Sequence, residues 1–244
     1  MRCFKATVEY DGTELHGFQY QVGQRTVQGD LESALAVLTG SEVRVHGAGR
    51  TDAGVHALGQ VVGFRAETRI PIERIPAAMN SLLARDIRVV GAEEVDETFH
   101  ARFSARSRTY VYVLLNREHP SAVFGRYCWH VAGALDVEAM AEGAHRLQGT
   151  RDFRAWANET REVESSVREV KRCAVRPVRG FVLVRVEANA FLRGMVRNIV
   201  GTLVQIGQGK RRPEEIDEIT ASLQRENAGP SAPAQGLCLV RVLY

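Results

Sequence analysis

His46-Gly47-Ala48-Gly49-Arg50-Thr51-Asp52-Ala53-Gly54-Val55-His56-Ala57 places three glycines within eight residues and one carboxylate, Asp52, among them. Glycine tolerates positive φ and lets another chain or a ligand come close to the backbone. Strand-like apolar residues precede the stretch (Val43, Val45) and follow it (Val61, Val62, Phe64), so the pattern predicts a tight loop between two strands with Asp52 at its tip. Two readings of Asp52 stand side by side here. It is a reactive carboxylate held out by the loop, or it is a turn aspartate that bonds nearby backbone N–H groups.

Working outward, Phe4, Ala6, Val8 and Tyr10 alternate with polar residues and predict a half-buried strand, ended by Asp11-Gly12-Thr13. Leu15 to Gln21 reads as a loop whose aromatic and amide side chains either contact a base or anchor the loop through Phe18. Thr26 caps a helix carrying Val27, Leu31, Ala34, Leu35 and Leu38, which Gly40 closes. After the central loop, Pro71 opens a second helix with Ile75, Ala78, Met79, Leu82 and Leu83, and a strand follows at 87–95. Strand, helix, strand, strand, helix, strand is the ferredoxin-like split β-α-β order, an α+β plan in which helices back one sheet.

The polar, Arg- and His-rich segment from Phe99 to Arg108 marks a boundary, giving an N-terminal half at 1–104 with the glycine-rich loop and a C-terminal half at 105–244. The second half opens on a strand apolar on both faces (Tyr110, Tyr112 and Leu114 against Val111, Val113 and Leu115), as central strands are. A helix at 136–148, a loop holding Asp152, Phe153 and Trp156, and a hairpin around Pro177-Val178-Arg179-Gly180 come next. A helix from Phe191 to Gln208, a short one from Glu214 to Leu223, and a last strand from Leu237 to Leu243 complete it. The order of the first half recurs without a residue-level repeat, so the expected fold is two similar α+β halves, each a mostly antiparallel sheet backed by helices.

The chain has 244 residues, 45% hydrophobic and 25% charged, a composition that can bury a substantial core. No apolar run is long enough to span a bilayer. Cys3, Cys128, Cys173 and Cys238 are scattered without a C-x-x-C pair, which argues against a zinc site or a disulfide framework and fits a reducing cytoplasm. Residues 1–104 hold 11 Lys+Arg against 14 Asp+Glu, and residues 105–244 hold 21 against 15. A basic, arginine-dominated half is compatible with RNA, because the planar guanidinium suits phosphate and stacks on bases.

Three residues are candidates for chemistry. Asp52 is the only carboxylate of the central loop. Tyr110 lies on the strand apolar on both faces. Arg197 sits on a helix beside Met195, Val196, Ile199 and Val200; it is either a solvated charge or a partly buried one that needs a partner, and pairing with an aspartate would hold that carboxylate ionised and oriented. Tyr110 is equally readable as a core tyrosine. His46 and His56 flank the loop at a spacing that is not a metal-ligand signature and are expected to be loop scaffolding.

Gly49-Arg50-Thr51-Asp52-Ala53-Gly54-Val55-His56-Ala57 resembles the catalytic signature of the tRNA pseudouridine synthase A family. Tyr10-Asp11-Gly12-Thr13 with Gly17-Phe18-Gln19, Arg102-Phe103-Ser104-Ala105 with Arg108-Thr109-Tyr110, Phe191 to Gly201, and Pro233-Ala234-Gln235-Gly236-Leu237 resemble its other motifs in order and spacing. One departure is Phe18, where the family usually has Trp. The resemblance implies two similar halves forming a continuous sheet with a central basic cleft, and a homodimer. It implies an isomerase that converts uridine to pseudouridine at positions 38, 39 and 40 of the tRNA anticodon stem-loop with no cofactor and no metal. By the matching motifs Asp52 would be the essential carboxylate, acting on the sugar, the base or a sugar proton. Tyr110 would pack against the uracil, Arg197 would pair with Asp52, and Leu237 would line the pocket. Arg50 would help hold the target base flipped out, since chemistry on a stacked base requires its extrusion. The competing readings are a catalytically inactive RNA-binding module of the same fold and a methyltransferase; the latter lacks its G-x-G-x-x-G after the first strand.

Overall fold

The computed structural model describes residues 1–159 and 164–244. Two compact units emerge: Met1–Arg106 with Cys238–Tyr244, and Ser107–Leu237. Among the described residues, ten strands, mostly antiparallel, and five α-helices make the mixed α+β fold that the alternating patterns predict.

The first unit begins with β1 (Arg2–Tyr10), α1 (Val27–Thr39), β2 (Val45–Gly47) and β3 (His56–Ala66). It continues with α2 (Ile75–Asn80) and β4 (Ile87–Glu94). β1 lies between β4 and β3, antiparallel to both, and β2 pairs antiparallel with the far end of β3. The alternation in β1 buries Phe4, Ala6, Val8 and Tyr10, and Leu31, Leu35, Met79 and Ile87 are buried with them. Each fully buried side chain of this kind contributes about 1.5–3 kcal/mol. The Thr26 hydroxyl accepts from the Gly29 N–H at 3.2 Å and starts α1. α2 is shorter than its apolar spacing predicts. It follows a 3-10 turn at Ile72–Arg74 and ends where the Asn80 amide turns to clasp β4, donating to Val89 O and accepting from Val89 N, each at 2.8 Å.

The second unit runs β5 (Ser107–Asn116), β6 (Trp129–Val131), α3 (Val137–Arg146) and β7 (Gly149–Asp152). It continues with β8 (Val167–Val178), β9 (Phe181–Ala188), α4 (Met195–Gly207) and α5 (Glu215–Ser222). Its strands lie in the order β5-β9-β8-β7 with antiparallel neighbours, and β6 joins β5 in parallel. Arg179 and Gly180, at φ 49° and 84°, form the two-residue turn between β8 and β9. The segment expected as a loop around Asp152 and Trp156 is instead β7 followed by a 3-10 turn. It carries Trp156 into the core, where the indole N–H donates to Thr220 Oγ1 at 3.1 Å. α4 starts four residues later than its apolar pattern implies. Backbone at Asn158 bonds Arg193 O (2.9 Å) and holds that stretch extended, and Gly194 at φ 74° turns the chain into the helix.

The last strand, β10 (Leu237–Leu243), returns to the first unit, where Cys238 and Leu239 pair in parallel with His56 and Ala57 of β3.

Candidate functional site

The Asp52 loop spans the eight residues between β2 and β3, and its backbone is tied down from two sides. Gln60, fully buried on β3, donates through Nε2 to Gly49 O at 2.7 Å and to the Tyr10 phenol oxygen at 3.3 Å. The phenol shares a further hydrogen bond with the Thr51 hydroxyl, 2.8 Å away. Burial pushes the Tyr10 phenol up to about 12. From the other side, Phe18 N–H donates to Thr51 O at 3.0 Å, and the Phe18 ring packs over Gly47, where a side chain would collide with it. Gly17, at φ 87°, brings the backbone so near Thr51 O that a Cβ would lie 2.7 Å from it. Phe18 is therefore an anchor, only 3% exposed, and not a face offered to a base.

His56 begins β3 and is buried. Gly12 N–H donates to its Nδ1 at 3.1 Å, so Nδ1 carries the lone pair. Asp11 Oδ1 approaches the same nitrogen at 3.2 Å and accepts from Thr13 N and Oγ1. His56 scaffolds the loop, as its spacing implied. Between these clamps Val55 N–H closes a turn onto Asp52 O at 3.2 Å. Asp52 is half-buried in that turn, and Arg50 is exposed.

In the second unit Tyr110 is 7% exposed on β5, and the edge of its ring meets Phe191 at 5.0 Å. Arg197, on the first turn of α4, is half-buried. Its Nε donates to Ala232 O at 2.7 Å, and Ala232 N–H donates to Arg197 O at 3.0 Å. The next carbonyl, Pro233 O, accepts from the Tyr112 phenol at 2.7 Å. Burial holds that phenol far above its ordinary range, and the Arg197 charge opposes the rise. Ala232-Pro233 thus ties Arg197 and Tyr112 to the segment that ends at Leu237, which is itself buried. Asp52 and Arg50 belong to the first unit; Tyr110, Arg197 and Leu237 belong to the second.

Gln60 escapes a reading of the sequence alone, and Phe191 and Asn198 enter it only within the Phe191–Gly201 motif, without roles. The fold shows Gln60 holding Gly49 beside Arg50, Phe191 against Tyr110, and Asn198 bonded to Ser231 beside Ala232. Among the described residues no group of three His, Cys, Asp or Glu side chains is placed to hold a metal ion. No helix there is long and apolar enough to cross a membrane.

The family model described as tRNA pseudouridine synthase matches residues 6–104 and 144–244. The chain belongs to this family. A tRNA pseudouridine synthase A of Thermoanaerobacter sp. (strain X514) is 44% identical to it over 244 residues, the whole of both chains. The proteins of the same name from Moorella thermoacetica (46% over 246 residues, all of both chains) and Bacillus pumilus (46% over 242 residues, 98% of each) are similarly close. Within the pseudouridine synthase match, Asp52 and Arg50 fall in the first matched segment and Arg197 and Leu237 in the second, while Tyr110 lies between them.

Proposed function

We propose that this chain isomerises uridine to pseudouridine in tRNA, at positions 38, 39 and 40 of the anticodon stem-loop. The observation that carries the reading is the loop signature Gly49–Ala57. Its one carboxylate sits in a turn clamped by Gln60, Tyr10, Phe18 and His56, within a chain of this family. A carboxylate that must meet one atom of a substrate gains from such fixing, because small displacements cost large factors in rate.

The reaction needs no oxidant or reductant. The N1–C1′ glycosidic bond breaks, the uracil turns, C5 bonds to C1′, and the proton lost from C5 is matched by one gained at N1. Asp52 is the group assigned to the covalent or proton-transfer step, whether at the sugar carbon, at the base or at a sugar proton. Arg197 is assigned to pair with it, Tyr110 to pack against the uracil, Leu237 to line the pocket, and Arg50 to hold the base out of the stack. We assign residues 1–104 the catalytic loop and residues 105–244 the arginine-rich RNA-binding half. The protein is proposed to act in the cytoplasm as a homodimer, without metal or cofactor. Phosphate contacts would supply most of the affinity.

The test is incubation of the purified protein with unmodified tRNA and no added cofactor, followed by mapping of pseudouridine. Modification at the three neighbouring uridines is the expected result. Binding without turnover would overturn the reading in favour of an RNA-binding module, and arrest by EDTA with rescue by zinc would overturn its metal-free part.

A further inference from the structure

The mid-chain stretch His100-Ala101-Arg102-Phe103-Ser104 has no part in the site described above, yet its construction is specific. Ser104 N–H donates to His100 O at 2.9 Å, and His100 N–H donates to Ser104 Oγ at 3.1 Å. The His100 Nδ1 lone pair accepts from the N–H groups of Arg102 (3.1 Å) and Phe103 (3.4 Å). The turn is therefore closed by its own bonds, and the residue it presents is a phenylalanine that is 75% exposed. Behind Phe103 the His100 ring stands at 4.5 Å, and behind that His46, on the strand leading into the Asp52 loop, at 5.5 Å. Burial, then the charges of His46 and Arg102, hold His100 below its ordinary value, so at neutral pH it stacks as an uncharged ring. The Arg102 guanidinium lies 5.4 Å from the Phe103 ring centroid. A cavity of about 330 Å³ adjoins the stack, lined by Arg44, His46, Arg65 and His100.

We infer that Phe103 is a stacking platform for an unpaired base of the RNA substrate, with Arg102 beside it and Arg44 and Arg65 positioned for the flanking phosphates. Proteins that bind single-stranded nucleic acid join aromatic side chains, on which bases stack, to cations that follow the backbone. An exposed aromatic ring stiffened by two further rings and flanked by arginines has that composition, and RNA loops offer the unstacked bases. The inference rests on the reading of the chain as a tRNA-modifying enzyme and adds to it a contact on the first unit.

The experiment measures equilibrium binding of the unmodified anticodon stem-loop RNA to the Asp52→Asn protein, in which binding is separated from turnover. Phe103 is compared with Tyr, Leu and Ala, and Arg102 with Gln, between 50 and 200 mM salt. Phe103→Tyr should bind within about twofold of its parent, and Phe103→Ala and Phe103→Leu about 5- to 50-fold more weakly, with the salt slope unchanged. Arg102→Gln should lower that slope by about one phosphate contact. Binding by Phe103→Ala within twofold of the parent, or Phe103→Leu equal to Phe103→Tyr, would overturn the inference. So would halving of the sedimenting mass by Phe103→Ala, which would assign the ring to a contact between copies. Failure of the wild-type protein to form pseudouridine, with the Phe103 dependence of binding intact, would sink the proposed function and leave the platform standing.

Discussion

Arg197 and Ala232 hold each other twice: the Arg197 Nε donates to Ala232 O at 2.7 Å, and the Ala232 N–H donates to Arg197 O at 3.0 Å. The guanidinium is therefore held at Nε, and in the proposed pairing its Nη groups would offer Asp52 the planar fork that suits a carboxylate. A lysine would supply charge without the fork and without the bond to Ala232. Arg197→Lys should retain measurable pseudouridine formation at a reduced rate, and Arg197→Ala should fall on the order of 100-fold or more, as for loss of a preorganised donor. Single-turnover rates of the two variants against wild type check this. Equal rates for Arg197→Ala and wild type would make the arginine a structural clamp for residue 232 alone.

Asp52→Asn should abolish isomerisation and leave tRNA affinity within a few fold. The substitution is nearly isosteric in a turn whose clamps act on Gly49, Thr51 and His56, so the loop keeps its shape. In the proposed reading one carboxylate performs the step, while affinity is spread over many phosphates. Rate and filter-binding measurements on the same preparation decide the matter.

Much of this architecture is legible in the sequence because it rests on periodicity. The alternation in β1, the apolar spacing of α1 and the capping by Thr26 report burial directly. What stays hidden depends on partners distant in the chain. Asn80 ends α2 early because Val89 is waiting on β4, and backbone pairing with Asn158 holds the residues before Gly194 out of α4. Nothing local to Leu237–Leu243 says that this strand will lie parallel to β3. The carboxylate of the loop is visible as a motif, but Gln60, which fixes the loop through Gly49, is an unremarkable amide in a strand until the fold is seen.

Alkaline titration should report the buried phenols. Tyr10, pushed up to about 12 by burial, and Tyr112, pushed further, both fold as neutral groups. Their folded values lie above the ordinary value near 10, so their contribution is complete below pH 10 and is lost as pH rises toward 12. The buried Cys173 thiol, at about 12, and the half-buried Cys238 thiol, at about 11, add to the same decline from about pH 9. Each group that ionises only on unfolding lowers stability by about 1.4 kcal/mol per pH unit. Urea unfolding between pH 8 and 11 should show the fall. Tyr10→Phe should be less stable by about 1–2 kcal/mol at pH 8, since Thr51 and Gln60 lose their shared partner, and should show a shallower slope above pH 10. An unchanged slope would mean that this phenol does not titrate on unfolding.

Asn198, with no exposed surface, is the centre of a polar cluster that fixes residues 225–232 on α4. Its Nδ2 donates to Trp156 O at 2.8 Å and to Asn158 Oδ1 at 2.9 Å, while its Oδ1 accepts from Arg225 Nη2 at 2.9 Å and from the Ser231 hydroxyl. Arg225 also donates to Gly229 O at 3.0 Å, and its burial among these neutral oxygens lowers its pKa. Asn198→Asp would be expected to help on charge alone, because it sets a carboxylate beside the guanidinium. The hydrogen bonds argue the reverse. A carboxylate has no N–H for Trp156 O, which would be left without a donor in a buried site, or for Asn158 Oδ1, which keeps Arg225 Nε at 3.4 Å; an unsatisfied buried group costs about 1–3 kcal/mol. Asn198→Asp should therefore destabilise the protein by about 1–3 kcal/mol in urea unfolding at pH 7. Because Ser231 adjoins Ala232, which carries the Arg197 bonds, the variant should also slow single turnover more than it weakens tRNA binding. Asn198→Asp as stable as wild type would mean that the guanidinium charge, and not the amide's donors, governs this cluster.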